Sequence, residues 1–246
     1  MDFIDLHIHL QDYEENFATD IVKKAQKFGL KKMICAATSP KDWDKVAAFA
    51  QNFPDLIVPA FGVHPWHVAG VSEQWQNLLK SYLKAFPHAL VGETGLDGLK
   101  PDFDLQQNLF SAQLKLAREF KRPIIIHSVK AVGSMPDFWH LMPAKFMIHS
   151  FNGRAEHLHD ILSHGGYISF SASILKNRDI EKIVKTVPLN KILLESDGPY
   201  QAPNKGELSS PFFIPEILQH FASILRADIE ELSRQIYQNS LEFIND

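Results

Sequence analysis

Short apolar runs recur along the chain, and longer amphipathic stretches separate most of them. Eight runs stand out: Phe3–Ile8, Lys32–Cys35, Ile57–Phe61, Ala89–Val91, Pro123–Ile126, Lys145–Ile148, Tyr167–Phe170 and Lys191–Leu194. Each is rich in Ile, Val, Phe or Leu and is bounded by turn residues. Runs this short that stay apolar without alternating predict parallel strands buried on both faces. The stretches between them predict helices. Asp20–Phe28 stops at Gly29, Lys41–Asn52 stops before Pro54, and Ser72–Phe86 carries Leu78, Leu79 and Leu83. Asp104–Phe120 repeats Leu105, Leu109, Ala112, Leu116 and Phe120 at helical spacing. Arg154–His164 ends at Gly165-Gly166, and Asp179–Thr186 precedes Pro188. Pro215–Leu225 and Asp228–Phe243 close the chain, the last with Asp228 as N-cap.

Strand–helix alternation of this length predicts an α/β fold: a (β/α)8 TIM barrel forming a single domain over residues 1–246. An open doubly wound sheet is the competing architecture. The eight strands and the residues at their ends favour the barrel. No Pro/Gly/Ser-rich linker, repeat or low-complexity tract divides the chain. Gly198–Ser210, which follows the last strand, predicts a loop over the barrel mouth.

Composition narrows the class. Hydrophobic residues make up 45% and charged residues 22%, which excludes a disordered chain. Cys35 is the single cysteine, so no disulfide forms within the chain. No apolar run approaches the roughly 18 residues of a membrane span. The acidic start, Met1-Asp2-Phe3-Ile4-Asp5, is unlike a secretory signal, and the default expectation is a cytoplasmic protein. Lys and Arg number 25 against 29 Asp and Glu, a net charge of −4, which gives no general attraction to nucleic acid or membrane. The one excess is histidine, with 12.

The strand ends explain part of that excess. The first predicted strand runs into His7 and His9, the fourth into Glu93, the fifth into His127, the sixth into His149 and the eighth into Asp197. Barrel enzymes build their sites at this end of the strands. Residues two apart on a strand share a face, so His7 and His9 aim together and can bind one cation. Imidazole and carboxylate donors suit Zn, Mn, Fe or Ni, and the absence of thiolate argues against a structural Cys-type site. Glu93 has two oxygens and can bridge two ions; His127 and His149 can complete the second; Asp197 can ligate and also accept a proton from water. A strand-end histidine alone is more often a satisfied core residue than a ligand. Five strand ends carrying such groups change that balance: without a cation, the cluster would cost several kcal/mol in desolvation and repulsion.

The chain resembles the TatD-type metal-dependent hydrolases, within the wider amidohydrolase-like barrels. The matching segments are Asp5-Leu6-His7-Ile8-His9, Gly62-Val63-His64-Pro65, Gly92-Glu93-Thr94-Gly95-Leu96-Asp97, Pro123-Ile124-Ile125-Ile126-His127-Ser128, His149-Ser150-Phe151-Asn152-Gly153 and Glu195-Ser196-Asp197-Gly198-Pro199-Tyr200. The resemblance covers almost the whole length and implies two divalent ions (Zn, Mg, Mn or Ni). His7, His9, Glu93 and Asp197 would hold one; Glu93 as bridge, His127 and His149 would hold the other. It implies phosphodiester hydrolysis, often as a deoxyribonuclease of exonuclease character, with Asp197 and Glu93 as catalytic residues. The expected substrate is a small phosphodiester or single-stranded DNA, with no membrane and no obligate protein partner. His64 reads either as a residue at the substrate end or as a turn histidine before Pro65. Trp66 beside it can stack on a base or sugar.

Departures from the family pattern fall on phosphate contacts. The arginine usual two residues after the strand-five histidine is Val129 here, followed by Lys130, which becomes the candidate substrate contact. Gly98, Leu99 and Lys100 follow the Gly-Leu-Asp segment, and Ser209-Ser210 stands where an Arg-Asn pair is usual. Two alternatives follow: C–N or ester/lactone hydrolysis on the same metal centre, and a catalytically degenerate barrel that only binds. Trp43, Trp75 and Trp139 read as packing or rim residues, His157, His159 and His164 as solvent-facing, and Cys35 as a buried thiol.

Overall fold

Eight strands follow one another in the computed structural model, which describes residues 2–245; Met1 and Asp246, the ends of the expected domain, lie outside the described residues. They are β1 (Phe3–Ile8), β2 (Leu30–Ala36), β3 (Ile57–Phe61), β4 (Leu90–Asp97), β5 (Ile124–Val129), β6 (Phe146–Ile148), β7 (Tyr167–Phe170) and β8 (Ile192–Leu194). Each pairs in parallel with the next, so the sheet runs in chain order. The seam between β8 and β1 is joined just beyond β8. Ile8 bridges Gly198, the Asp197 amide donates to the His7 carbonyl (2.9 Å), and the His9 amide donates to the Gly198 carbonyl (2.7 Å). The backbone of candidate site residues therefore closes the barrel at its mouth.

Helices cover the outside: α1 (Glu15–Lys27), α2 (Trp43–Asn52), α3 (Trp75–Ala85), α4 (Phe103–Glu119), α5 (Leu158–Ser163), α6 (Ile180–Thr186), α7 (Ile214–Leu225) and α8 (Ile229–Ile244). Between β5 and β6 the connection is a 3-10 run, Val132–Leu141, with Pro136 inside it, where a missing amide and a ring clash oppose an α-helix. Three differences from the sequence expectation are the largest, beside shifts of one to three residues at other element ends. α1 starts at Glu15 rather than Asp20, because Ala18 already belongs to the buried face shared with Ile21, Val22 and Ala25. The helix expected over 154–164 is a 3-10 turn, Ala155–His157, followed by the short α5. β4 continues past Val91 to Asp97, and all eight of its residues are buried; its polar residues conceal a strand whose hydrogen bonds run along β5.

Two apolar layers result. One lies between strands and helices. The other draws on every strand, from Ile4 and Leu6 through Ile34, Ala60, Leu90, Ile125, Met147 and Tyr167 to Leu193, and fills the barrel, with Phe243 of α8 packed into it. Side-chain parity counted from this filling layer fixes what points into the mouth. Ile125, Met147 and Leu193 lie an even number of residues before His127, His149 and Asp197, so those three share the lumen face. In β1 and β4 the count is odd, since Leu6 precedes His7 by one residue and Leu90 precedes Glu93 by three. Both strands carry a one-residue irregularity at that point. Asp5 and Ile8 pair with Met33 and Cys35, and Val91 and Thr94 pair with Ile124 and Ile126, so three steps face two. A bulge of this kind re-aims the side chains that follow it. Here the two bulges turn His7, His9 and Glu93 into the mouth.

Candidate active site

Glu93 is the centre of the cluster. Its Oε2 lies 3.2 Å from His7 Nε2 and 3.3 Å from His9 Nε2. Its Oε1 lies 2.8 Å from His149 Nε2, 3.0 Å from His127 Nδ1 and 3.2 Å from His64 Nε2. Asp197 Oδ1 lies 3.6 Å from His7 Nε2 and 3.5 Å from His9 Nε2. The two histidine nitrogens of β1 approach each other to 3.0 Å, and His127 Nδ1 and His149 Nε2 to 3.3 Å. All of these side chains are buried. The structure thus brings His7, His9, Glu93, His127, His149 and Asp197 together, with His64 against the same carboxylate.

These separations fit a metal centre. Donors about 2.0–2.2 Å from one tetrahedral ion stand roughly 3.3–3.6 Å from each other. Nitrogen and oxygen donors also converge without a proton donor for every contact, which is the arrangement a cation satisfies. The donors overlap in groups of three that could each hold an ion: His7, His9 and Asp197; His7, Glu93 and His149; His64, Glu93 and His127; and His149, Glu195 and Asp197.

Tautomers separate ligand-like histidines from the others. His9 Nδ1 donates to the Ala36 carbonyl at 2.8 Å, and His149 Nδ1 donates to Glu195 Oε1 at 3.3 Å. Each points Nε2 at Glu93, where it holds a proton shared with the carboxylates or, with that proton lost, could ligate a cation with a supporting acceptor behind it. His64 is the reverse. Its Nδ1 accepts the Trp66 amide (3.1 Å), so Nε2 carries the proton and donates to Glu93. Burial holds the His64 pKa down at about 4, against the pull of Glu93, so this imidazole is neutral. His64 is therefore both a turn histidine, capping the 3-10 turn Pro65–His67, and a hydrogen-bond donor inside the cluster.

Charge inside the cluster is strongly coupled. Burial opposes ionisation of Glu93, but the charges of His149 and His7 and the hydrogen bond with His127 outweigh it and hold the carboxyl well below its usual range. Burial likewise opposes charge on His9 and His149, yet the surrounding carboxylates push both well above the ordinary imidazole value. Asp197 is lowered despite its burial, first by the hydrogen bond from His9. Protons on imidazole supply the positive charge these acids require. A bound cation would supply it instead.

Backbone geometry at the strand exits serves the same cluster. Lys130, Ser150 and Asp197, just beyond β5, β6 and β8, all adopt left-handed φ (50°, 42° and 49°). Such conformations are disfavoured for residues with a Cβ and cluster at functional sites. Gly62 gives the clearance needed at β4: a Cβ there would stand 2.6 Å from the Glu93 carbonyl oxygen.

Some contributing residues have no role in the sequence reading. Glu195 is fully buried; its Oε1 accepts from His149 and from the Ser150 amide (2.7 Å). Asp97 Oδ2 lies 3.5 Å from His127 Nε2 and accepts the Trp66 indole N–H at 2.6 Å. Asp5 accepts the Ser196 hydroxyl (2.6 Å) and amide (2.9 Å) across the barrel seam. The period-two spacing of Glu195 from Asp197, and of Asp5 from His7, was the available signal. Lys130 is exposed and enters none of the ion pairs of the cluster. Lys100 instead lies 4.3 Å over the Trp66 ring.

Histidines and acids gathered at the C-terminal mouth of a (β/α)8 barrel define the class of metal-dependent barrel hydrolases. The particular family is given by comparison: the family model for TatD related DNase matches residues 4–245, and the chain belongs to that family. The chain is 25% identical to human deoxyribonuclease TATDN3, covering 97% of this chain and 93% of that protein. It is 26% identical to the 3'-5' ssDNA/RNA exonuclease TatD of Erwinia tasmaniensis, covering 93% and 95%. The crystal structure of YjjV, a TatD homologue from Escherichia coli K12, superposes with a TM-score of 0.91 at 25% identity, covering 99% and 98%. Among the described residues no helix is long and apolar enough to cross a membrane.

Proposed function

We propose that the protein is a two-metal phosphodiesterase that removes nucleotides from single-stranded DNA or cleaves a small phosphodiester. The observation that carries this reading is the meeting of four histidines around the two oxygens of Glu93, with Asp197 against two of them. His7, His9, Glu93 and Asp197 would hold one divalent ion, and Glu93, His127 and His149 a second, drawn from Zn, Mg, Mn or Ni. When bound, such ions lower the pKa of water and stabilise charge on a phosphoryl group. The chain's own residues do the rest. Glu93 joins the two halves of the site and fixes their spacing. Asp197, ionised and held by the His7 and His9 rings, accepts the proton of the attacking water. His64, donating its Nε2 proton to Glu93, steadies that carboxylate from the substrate side, and Lys130 is retained as a phosphate contact from the loop after β5. The deoxyribonuclease and exonuclease names of the relatives support the choice of substrate. Cytoplasmic action, argued from composition, belongs to the same proposal.

The test is hydrolysis of single-stranded DNA, duplex DNA and small phosphodiesters, before and after chelation, with Mg, Mn or Zn restored. The expected result is loss on chelation, recovery on restoration, and a fall of roughly 10²–10⁴-fold in Asp197→Asn. Activity indifferent to both would overturn the reading. Lactones and cyclic amides in the same panel distinguish the C–N and ester alternative.

A further inference from the structure

Two aromatic side chains at the mouth are more than half exposed and stand against the histidine cluster: Trp66 at 56% and Tyr200 at 52%. They meet different histidines. The Trp66 ring centroid lies 6.3 Å from His127, and the Tyr200 centroid 5.7 Å from His9. His127 faces Oε1 of Glu93, whereas His9 faces Oε2. The two rings therefore flank the bridging carboxylate from its two sides. The other exposed aromatic side chains, Phe17 and Phe28, belong to α1 and its C-terminal end and pack with Tyr13, Phe3 and Phe212.

Each flanking ring is held by its one polar atom. Trp66 Nε1 donates to Asp97 Oδ2 at 2.6 Å, and the Tyr200 hydroxyl donates to Asp12 Oδ2 at 3.1 Å. A tether at the ring edge fixes orientation and leaves π-face area for stacking, so little side-chain freedom is lost when a ligand arrives. Lys100 lies over one face of the Trp66 ring, so a base stacks on the other face or takes that place while the ammonium moves to a phosphate. A phosphodiester in a nucleic-acid strand carries a nucleoside on both sides, so a centre that cleaves it must seat two. Stacking on aromatic rings is tolerant of sequence and does not require a basic groove, which suits a chain of net charge −4.

We infer that Trp66 and Tyr200 form an aromatic clamp that seats two successive bases of a single strand, one on either side of the phosphodiester presented to Glu93. Lys100 contacts a neighbouring phosphate. The inference rests on the phosphodiesterase reading above and adds to it the recognition of the strand. Duplex DNA, whose bases are already paired and stacked, fits the clamp only after fraying.

The test uses the metal-loaded enzyme and oligothymidylates that carry one abasic residue, on either the 5′ or the 3′ side of the first linkage cleaved. In the wild type each abasic substitution lowers kcat/KM about tenfold. Trp66→Ala abolishes the sensitivity to one of the two positions and Tyr200→Ala the sensitivity to the other, as non-additive cycles. Trp66→Phe and Tyr200→Phe keep a ring and keep both sensitivities, which separates stacking from the tethers to Asp97 and Asp12. The clamp is overturned if base removal leaves the wild type unaffected, or if it lowers kcat/KM in the alanine variants as strongly as in the wild type. Should the wild type cleave no oligonucleotide, the phosphodiesterase reading fails, and the clamp is judged by binding. Oligothymidylate then quenches tryptophan fluorescence in the wild type but not in Trp66→Phe; equal responses in the two proteins overturn the clamp.

Discussion

Glu195 shows how a residue that touches no substrate can set the chemistry. Its carboxylate accepts hydrogen bonds from His149 Nδ1 and the Ser150 amide, and so turns Nε2 toward Glu93. Replacement by Gln keeps the shape and an oxygen for both bonds, which fall on Oε1, but removes the negative charge behind the imidazole. Glu195→Gln is expected to weaken metal binding by about 10–100-fold while the fold persists, measured by metal titration alongside circular dichroism. Cys35 illustrates the opposite case. It is fully buried, and burial pushes its thiol up to about 12. At pH 8 it should not react with a thiol reagent until the protein is unfolded, which a colorimetric titration with and without denaturant will read. At this scale the sequence is informative about donors and poor about their supports. His7, His9, Glu93, His127, His149 and Asp197 announce themselves by type and strand-end position. Asp97 and Glu195 do not, because a carboxylate that orients a histidine looks in sequence like any other buried acid.

At the scale of elements, β1 and β4 depart from a plain barrel and supply the most crowded part of the site. Their one-residue bulges bring His7, His9 and Glu93 to the lumen, where an unbroken strand would have turned them outward. The His-x-His spacing tells that His7 and His9 share a face, but not which face. That depends on a register fixed by neighbouring strands, which periodicity within one strand cannot contain. The extent of β4 was hidden for a related reason: Glu93, Thr94 and Asp97 are buried there because their partners lie on other elements. The crowding makes a prediction. Gly62→Ala would place a Cβ against the Glu93 carbonyl and displace the end of β3 or β4. A loss of about 1–3 kcal/mol is expected, read as a lower urea midpoint with an unchanged slope, together with reduced activity.

The whole molecule has a negative net charge and an interior cluster that requires positive charge. A divalent ion that binds the folded chain stabilises it by mass action, so chelation should lower Tm by roughly 5–10 °C, and restored metal should return it. The barrel itself was legible from the chain, since eight short apolar runs and the helices between them leave few topologies. The 3-10 connection after β5 and the early start of α1 were not, because both follow from packing against neighbours. The central claim is that hydrolysis occurs at the cluster around Glu93 and needs the cations it is built to hold. Its most direct test is a titration of metal-depleted protein with Mn while the release of nucleotide from a labelled single strand is followed. Activity should be absent without metal and saturate near two equivalents per chain. Full hydrolysis by the chelated protein, or an unchanged titration in Glu93→Gln, would contradict it.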